Sequence, residues 1–262
     1  MATPFFTVLM PVHNGAKYLS KAVNSILQQT FADFELVIIN DCSTDDTLAL
    51  CQTFVERDKR VLVYSTATNK GVANARNEAL KHINGQYFTF VDADDYIDSG
   101  LLELVEQKLK QYKPQVLKYG CIEEYYTKEG TYLNGKMVNA REAYYSNAST
   151  VREIIIELEK LPLFGYLWNS FYDVSLLRQY NIRFDNKAQV NEDFLFNLEI
   201  FHYVEKFYCL DTCAYHYAKR PNSSLSTHAN KNCYLLHVIK VERLLEFYRE
   251  CGELSELTEK KI

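Results

Sequence analysis

The chain has 262 residues, 47% of them apolar and 24% charged, with a formal net charge of −5 and a pI near 5.7. That length suits one large domain, or a domain with an added helical part. The acidic balance argues against nucleic-acid binding, which needs clustered Lys and Arg to neutralise phosphates, and leaves room for a small basic pocket of the kind that takes a diphosphate.

The first hundred residues alternate short apolar runs with segments of helical period. Residues 6–10 form an apolar run that stops at Pro11 and predict a buried strand. Leu19, Ala22, Val23, Ile26 and Leu27 then recur at helical spacing. Residues 34–39 predict a second strand, 46–54 a helix, 61–64 a third strand, 71–83 a helix and 85–91 a fourth strand. This βαβαβαβ order predicts an α/β fold with a mostly parallel sheet and flanking helices. After Tyr112 the alternation ends. Residues 116–126 and 130–137 predict a strand pair, 150–158 and 192–200 two helices, and His216–Ser226 a basic turn. Tyr234, Val238, Val241, Leu244, Leu245 and Tyr248 mark an amphipathic helix that packs on the core, docks on a membrane or dimerises. The start lacks a basic n-region and no run of about 20 apolar residues occurs, so neither a secretory leader nor a membrane span is expected. The seven Cys are expected to be reduced thiols, consistent with a cytoplasmic location or the inner face of the cell membrane.

In open α/β sheets ligands bind beyond the carboxyl ends of the strands, and three predicted strand ends are polar. Asp92-Ala93-Asp94-Asp95 puts three carboxylates within four residues. They repel one another unless a hard divalent cation is present, and such a cation takes oxygen ligands while leaving positions for substrate phosphates. A polar loop capping the helix near Leu101 is the plainer alternative. Asn40-Asp41 follows the second strand, where a base or ribose would be read. Gly71 marks a helix N-terminus, a setting that attracts anions, and Arg76 and Lys70 add charge to it. Glu192-Asp193 supplies paired acids, either a general base or helix N-terminal stabilisation. Lys219 and Arg220 suit a diphosphate. Trp168, the single Trp, either stacks on a sugar or fills core. There is no G-x-G-x-x-G or P-loop pattern.

In order, Val8-Leu-Met-Pro-Val-His-Asn14, Ser25-Ile-Leu-Gln-Gln-Thr30, Phe34 to Asp45, Asn69 to Asn77, Asp92-Ala-Asp-Asp95 and Glu192-Asp193 resemble family 2 glycosyltransferases of the GT-A fold, over roughly residues 5–226. The family usually has D-D-G-S-T-D at the third block; here Asn40 replaces the first Asp and Cys42 the Gly. The resemblance implies that Pro11 and His13 line a uracil pocket and that Asp41 hydrogen-bonds the base. It implies that Arg76 supports the nucleotide end, that Asp92 and Ala93 lie along the donor, and that Asp94 holds Mn2+ or Mg2+ on the diphosphate. Asp193 would be the base, Glu192 would orient the acceptor or the loop, and Lys219, Arg220 and Ser224 would close on the leaving group. Trp168 is the candidate acceptor contact.

These features predict a metal-dependent, inverting transferase that moves a sugar from a nucleotide donor, expected to be a UDP-sugar, to a carbohydrate or lipid-linked oligosaccharide. A nucleotidyltransferase or an inert sugar-nucleotide-binding module are the alternatives. Residues 1–112 are expected to form the donor half, 113–226 the acceptor half and 227–262 a helical tail. Peripheral membrane contact and a homodimer are both compatible with that tail.

Overall fold

A computed structural model of the chain describes residues 3–186, 191–221 and 233–254. The first strand, β1 (Phe6–Val12), pairs in parallel with β2 (Phe34–Asn40) on one side and β4 (Tyr87–Phe90) on the other, and β3 (Val61–Ser65) extends β2. Phe6, Val8, Leu9 and Met10 are fully buried, as expected of a strand covered on both faces. The helices α1 (Ala16–Leu27), α2 (Thr47–Arg57) and α3 (Val72–Leu80) make the crossovers. α1 turns Leu19, Ala22, Val23 and Ile26 inward, the i, i+3, i+4, i+7 stripe read from the sequence. At the start of α3, Gly71 has φ +92°, a backbone conformation that side chains other than glycine's resist.

Beyond β4 the sheet continues in the order β4-β9-β6-β10-β5. β9 (Ser170–Asp173) runs antiparallel to both neighbours, while β6 (Val116–Tyr126) and β10 (Phe207–Lys219) are parallel to each other. β5 (Tyr96–Ile97) closes one edge, β7 (Tyr132–Val138) pairs with β6 as expected, and β8 (Ala143–Tyr145) pairs with β10. Helices α4 (Leu101–Tyr112), α5 (Ala148–Lys160), α6 (Val174–Tyr180) and α7 (Glu192–Phe201) pack around this half.

One expectation is corrected here. The segment from His216 was read as a turn, but His216 to Lys219 end β10, a 13-residue strand. Its pairing with β6 shifts between Leu210 and Tyr215, so exposed Asp211 interrupts an otherwise apolar run and hides the period of two. Gly120 of β6 lies opposite this irregularity. A Cβ there would come within 2.4 Å of the Val138 carbonyl oxygen, so only glycine fits.

The helix Cys233–Glu250 packs on the body of the protein through buried Leu244, Phe247 and Tyr248. Arg152 of α5 pairs with Glu253, and Tyr248 donates to the Arg152 carbonyl oxygen at 2.5 Å. Among the described residues, no helix is long and apolar enough to cross a membrane.

Candidate active site

A cavity of about 930 Å³ opens beyond the carboxyl ends of β1 and β4 and is closed on its far side by α7, the end of β10 and the segment around Gly165. Pro11, His13, Arg76, Asp92, Ala93, Asp94, Trp168, Glu192, Asp193, Lys219 and Arg220 all line it. Residues separated by up to 209 positions in the chain are thus brought into one wall, and Ser224 lies outside the described residues.

At the β1 end, His13 donates from Nδ1 to the Asp41 carbonyl oxygen at 2.7 Å, and Asn14 Nδ2 lies 3.2 Å from Nε2. The carbonyl oxygen can only accept, so Nδ1 carries a proton. Asp41 itself stands one layer back. It is buried, its backbone N–H donates to Val12 O at 2.8 Å, and its carboxylate accepts from Thr66 Oγ1 at 2.6 Å. It supports His13 and does not form part of the cavity lining. Next to it, Cys42 has φ +55°. The slot that glycine usually fills in this motif therefore keeps its left-handed backbone with a cysteine in place.

The three adjacent carboxylates separate into two kinds. Asp95 is buried, accepts from Tyr215 Oη at 2.9 Å and from the Ala218 N–H at 2.8 Å, and so ties the loop after β4 to β10. Tyr215 Oη also accepts from the Asp92 N–H at 3.1 Å. Asp92 and Asp94 face the cavity. Burial pushes Asp92 up to about 6 against the pull of Arg76, with Asp94 and Glu192 adding to the rise. Burial also raises Asp94, opposed by Arg220.

Across the cavity, Glu192 and Asp193 open α7 after Asn191, whose φ is +60°. Arg76 reaches them from α3. Its Nη1 donates to Glu192 Oε1 at 2.8 Å and to Asp193 Oδ1, and its Nη2 to Asp193 Oδ2 at 3.3 Å. The Arg76 side chain is only 8% exposed, and its guanidinium carbon lies 5.6 Å from the Phe184 ring centroid. Sequence reasoning placed Arg76 at the nucleotide end, whereas here its contacts are with the acid pair. Burial raises Asp193 to about 7, with Arg76 pulling the other way, so a group normally ionised near pH 4 is poised near neutrality.

Lys219 Nζ sits 2.6 Å from Glu123 Oε1. Arg220 donates to Asp94 Oδ2 at 3.2 Å and to the Asp94 carbonyl oxygen at 3.0 Å, and packs over Tyr18 with its guanidinium carbon 4.0 Å from the ring centroid. Both cations line the cavity, and each already holds an acid of the chain.

Trp168 packs between aromatic neighbours. Its indole is 3% exposed and stacks on Tyr166 at 4.5 Å and on Tyr215 at 4.2 Å. Tyr166 and Tyr215 cover its two faces, and stacking on a sugar requires a free one, so Trp168 offers the cavity only an edge. Tyr18, Glu159, Tyr166, Tyr217 and Lys240 also line it and were not singled out from the sequence. No period or spacing flags them; only the fold brings them here.

Residues 7–179 match the family model described as glycosyl transferase family 2. The chain belongs to that family. It is 32% identical over 223 residues to glycosyltransferase GlyA of Streptococcus pneumoniae, covering 83% of this chain and 31% of that protein. It is 27% identical over 225 residues to the poly(ribitol-phosphate) beta-N-acetylglucosaminyltransferase TarS of Staphylococcus aureus, covering 85% of this chain and 37% of TarS. The chain therefore spans about a third of the length of these two relatives. The crystal structure of TarS residues 1–349 in complex with UDP-GlcNAc superposes with a TM-score of 0.69 at 26% identity, covering 93% of this chain and 71% of that one. The family's GT-A fold, with its parallel half and flanking helices, is the fold found.

Proposed function

We propose that this chain transfers a sugar from a UDP-sugar to an acceptor hydroxyl with inversion at the anomeric carbon. The observation that carries this reading is the convergence of Asp92 and Asp94, Arg220 and Asp193 on one cavity, within a chain of this family that resembles a UDP-GlcNAc-bound structure. Pro11 and His13 lie where the base would sit. Asp193 takes the proton of the acceptor hydroxyl as its oxygen bonds to the anomeric carbon. The bond from that carbon to the diphosphate oxygen breaks, and the nucleoside diphosphate leaves with the electron pair. A base titrating near neutrality is suited to this proton transfer.

A divalent cation fits the donor set only as a shared ligand. Among the described residues no group of three or more His, Cys, Asp or Glu could hold a metal, while Asp94 presents a side chain that is 48% exposed. Mg2+ and Mn2+ suit oxygen ligands, and Mg2+ in particular is commonly held by one or two carboxylates plus substrate phosphates. Bound there with the donor, such an ion would neutralise charge on the leaving diphosphate. Asp94, with Asp92 beside it, would hold it.

The relatives include TarS and the Bacillus subtilis minor teichoic acid biosynthesis protein GgaB, which supports a cell-surface polymer or its lipid-linked precursor as acceptor. Titration calorimetry with UDP in Mn2+, Mg2+ or EDTA, beside UDP release from a panel of UDP-sugars, tests the reading. Metal-dependent UDP binding and turnover of at least one donor are expected. Absence of UDP binding in any metal would overturn it.

A further inference from the structure

We infer that Lys118 is a positioning residue: its buried ammonium holds the inner wall of the cavity, residues 163–170, in shape. Lys118 lies on β6 and is 2% exposed. Its Nζ is 2.9 Å from the Tyr166 carbonyl oxygen, 3.2 Å from Asn169 Oδ1 and 2.6 Å from Ser170 Oγ, with the Leu163 carbonyl oxygen at 3.4 Å. All four oxygens belong to the segment that gives the cavity Gly165, Tyr166 and Trp168.

The acceptors around Nζ match the donors of an ammonium. Lys118 Nζ donates to Ser170 Oγ at 2.6 Å, and Ser170 Oγ lies 3.3 Å from Asn169 Oδ1. Asn169 Nδ2 already satisfies the Leu163 oxygen at 2.8 Å. Three close acceptors remain for three N–H groups, which is the complement of an ammonium. Burial lowers Lys118 to about 7, with Asp193 among the charges that oppose the drop. A buried cation is costly where packing is the only need, and an apolar side chain would fill the same space. Here the cation adds a donor to the Leu163 and Tyr166 carbonyl oxygens, which Asn169 and Asn197 also serve, and ties them to Asn169 Oδ1 and Ser170 Oγ.

The same network reaches the acid pair. Asn197, on α7 with Asp193, donates to the Phe164 and Tyr166 carbonyl oxygens at 2.7 and 3.1 Å and accepts from Tyr172 Oη at 2.7 Å. The wall is thus held from β6 by Lys118 and from α7 by Asn197. Calling this the acceptor side rests on the proposed transfer reaction; the holding of the wall does not.

Because Trp168 is the single Trp of the chain and lies inside the held segment, its fluorescence reads the wall directly. In Lys118→Met, emission should move to longer wavelength and acrylamide quenching should rise at least about twofold, as a locally opened segment requires. UDP release from a UDP-sugar should fall about tenfold or more, since small misplacements at a reacting centre are expensive. UDP affinity in Mn2+ should stay within about twofold, because the hydrogen-bond partners of Lys118 all lie between residues 163 and 170 and not on β1 or the loop after β4. Lys118→Gln, which keeps a donor, should fall between the two and serves if the Met variant does not fold. Unchanged Trp168 emission and quenching in both variants would overturn the assignment, as would a fall in UDP affinity that matches the fall in turnover. If the unmutated chain fails to bind UDP, the transfer reading is lost while Trp168 still decides the role of Lys118.

Discussion

Arg76 offers the sharpest separation of electrostatics from packing. Replacing it with Met keeps most of the apolar stem beside Phe184 but removes the guanidinium from Glu192 and Asp193. With Arg76 in place, Asp193 stands at about 7. An opposite charge in contact lowers a carboxyl by about 1–3 units, so its loss should lift Asp193 by about 2, to roughly 9. At pH 7.5 the ionised fraction then drops from about three-quarters to about 3%, a loss near 25-fold if that carboxylate is the base. At pH 9.5 most of the loss should disappear. In the unmutated protein kcat/KM should rise with pH through about 7, because the base works when deprotonated. UDP release measured from pH 6 to 10 in both proteins checks this. A rate defect of the same size at pH 7.5 and 9.5 would refute the argument. The variant should also be less stable, since breaking a buried ion pair costs about 3–5 kcal/mol, less where the stranded acid takes up a proton.

Three further outcomes follow from the same geometry. Asp193→Asn should bind UDP normally and lose about 10²–10⁴ in transfer rate, and near-normal turnover would place the base elsewhere. Asp94→Ala should abolish the dependence of UDP binding on Mn2+, and an unchanged metal-dependent affinity in calorimetry would remove Asp94 from that role. Cys42→Gly should stabilise the fold by about 0.5–1 kcal/mol, because the relief of left-handed strain exceeds the extra chain entropy of glycine. The melting temperature should then rise by about 1–3 °C, and a fall would show that the φ of +55° at Cys42 is not strained.

The first 112 residues were legible because β1 and β2 are buried on both faces and α1 keeps a clean apolar stripe. Each polar cluster therefore marked a strand end. The residues after 112 were less so. β9 has four residues, too few to show a period. β10 carries Asp211 at its irregularity and loses its alternation. Asp92 and Asp94 were readable as a pair, but nothing in their spacing said that Asp95 serves structure through Tyr215 and the Ala218 N–H. Arg76 was found as a cation at a helix start. Its contact with acids 116 and 117 positions away depends on how α3 meets α7, which local pattern does not encode.

Charge explains why this cavity needs help to take a diphosphate. Among the described residues five carboxylates (Asp92, Asp94, Glu159, Glu192 and Asp193) and four cations (Arg76, Lys219, Arg220 and Lys240) line it. Each of those cations already contacts an acid: Arg76 holds Glu192 and Asp193, Lys219 holds Glu123, Arg220 holds Asp94 and Lys240 holds Glu159. An incoming diphosphate therefore meets a lining with no surplus positive charge, and like-charge contact in a poorly solvated site is strongly unfavourable. Of the four, Arg220 is best placed to change partners. It is held to an exposed carboxylate by a 3.2 Å contact and rests on Tyr18. In the proposed reaction Asp94 would hold the divalent ion, and Arg220 would turn its guanidinium from Asp94 to the leaving oxygens. Donor and metal affinity should then be coupled, each raising the other by the same factor.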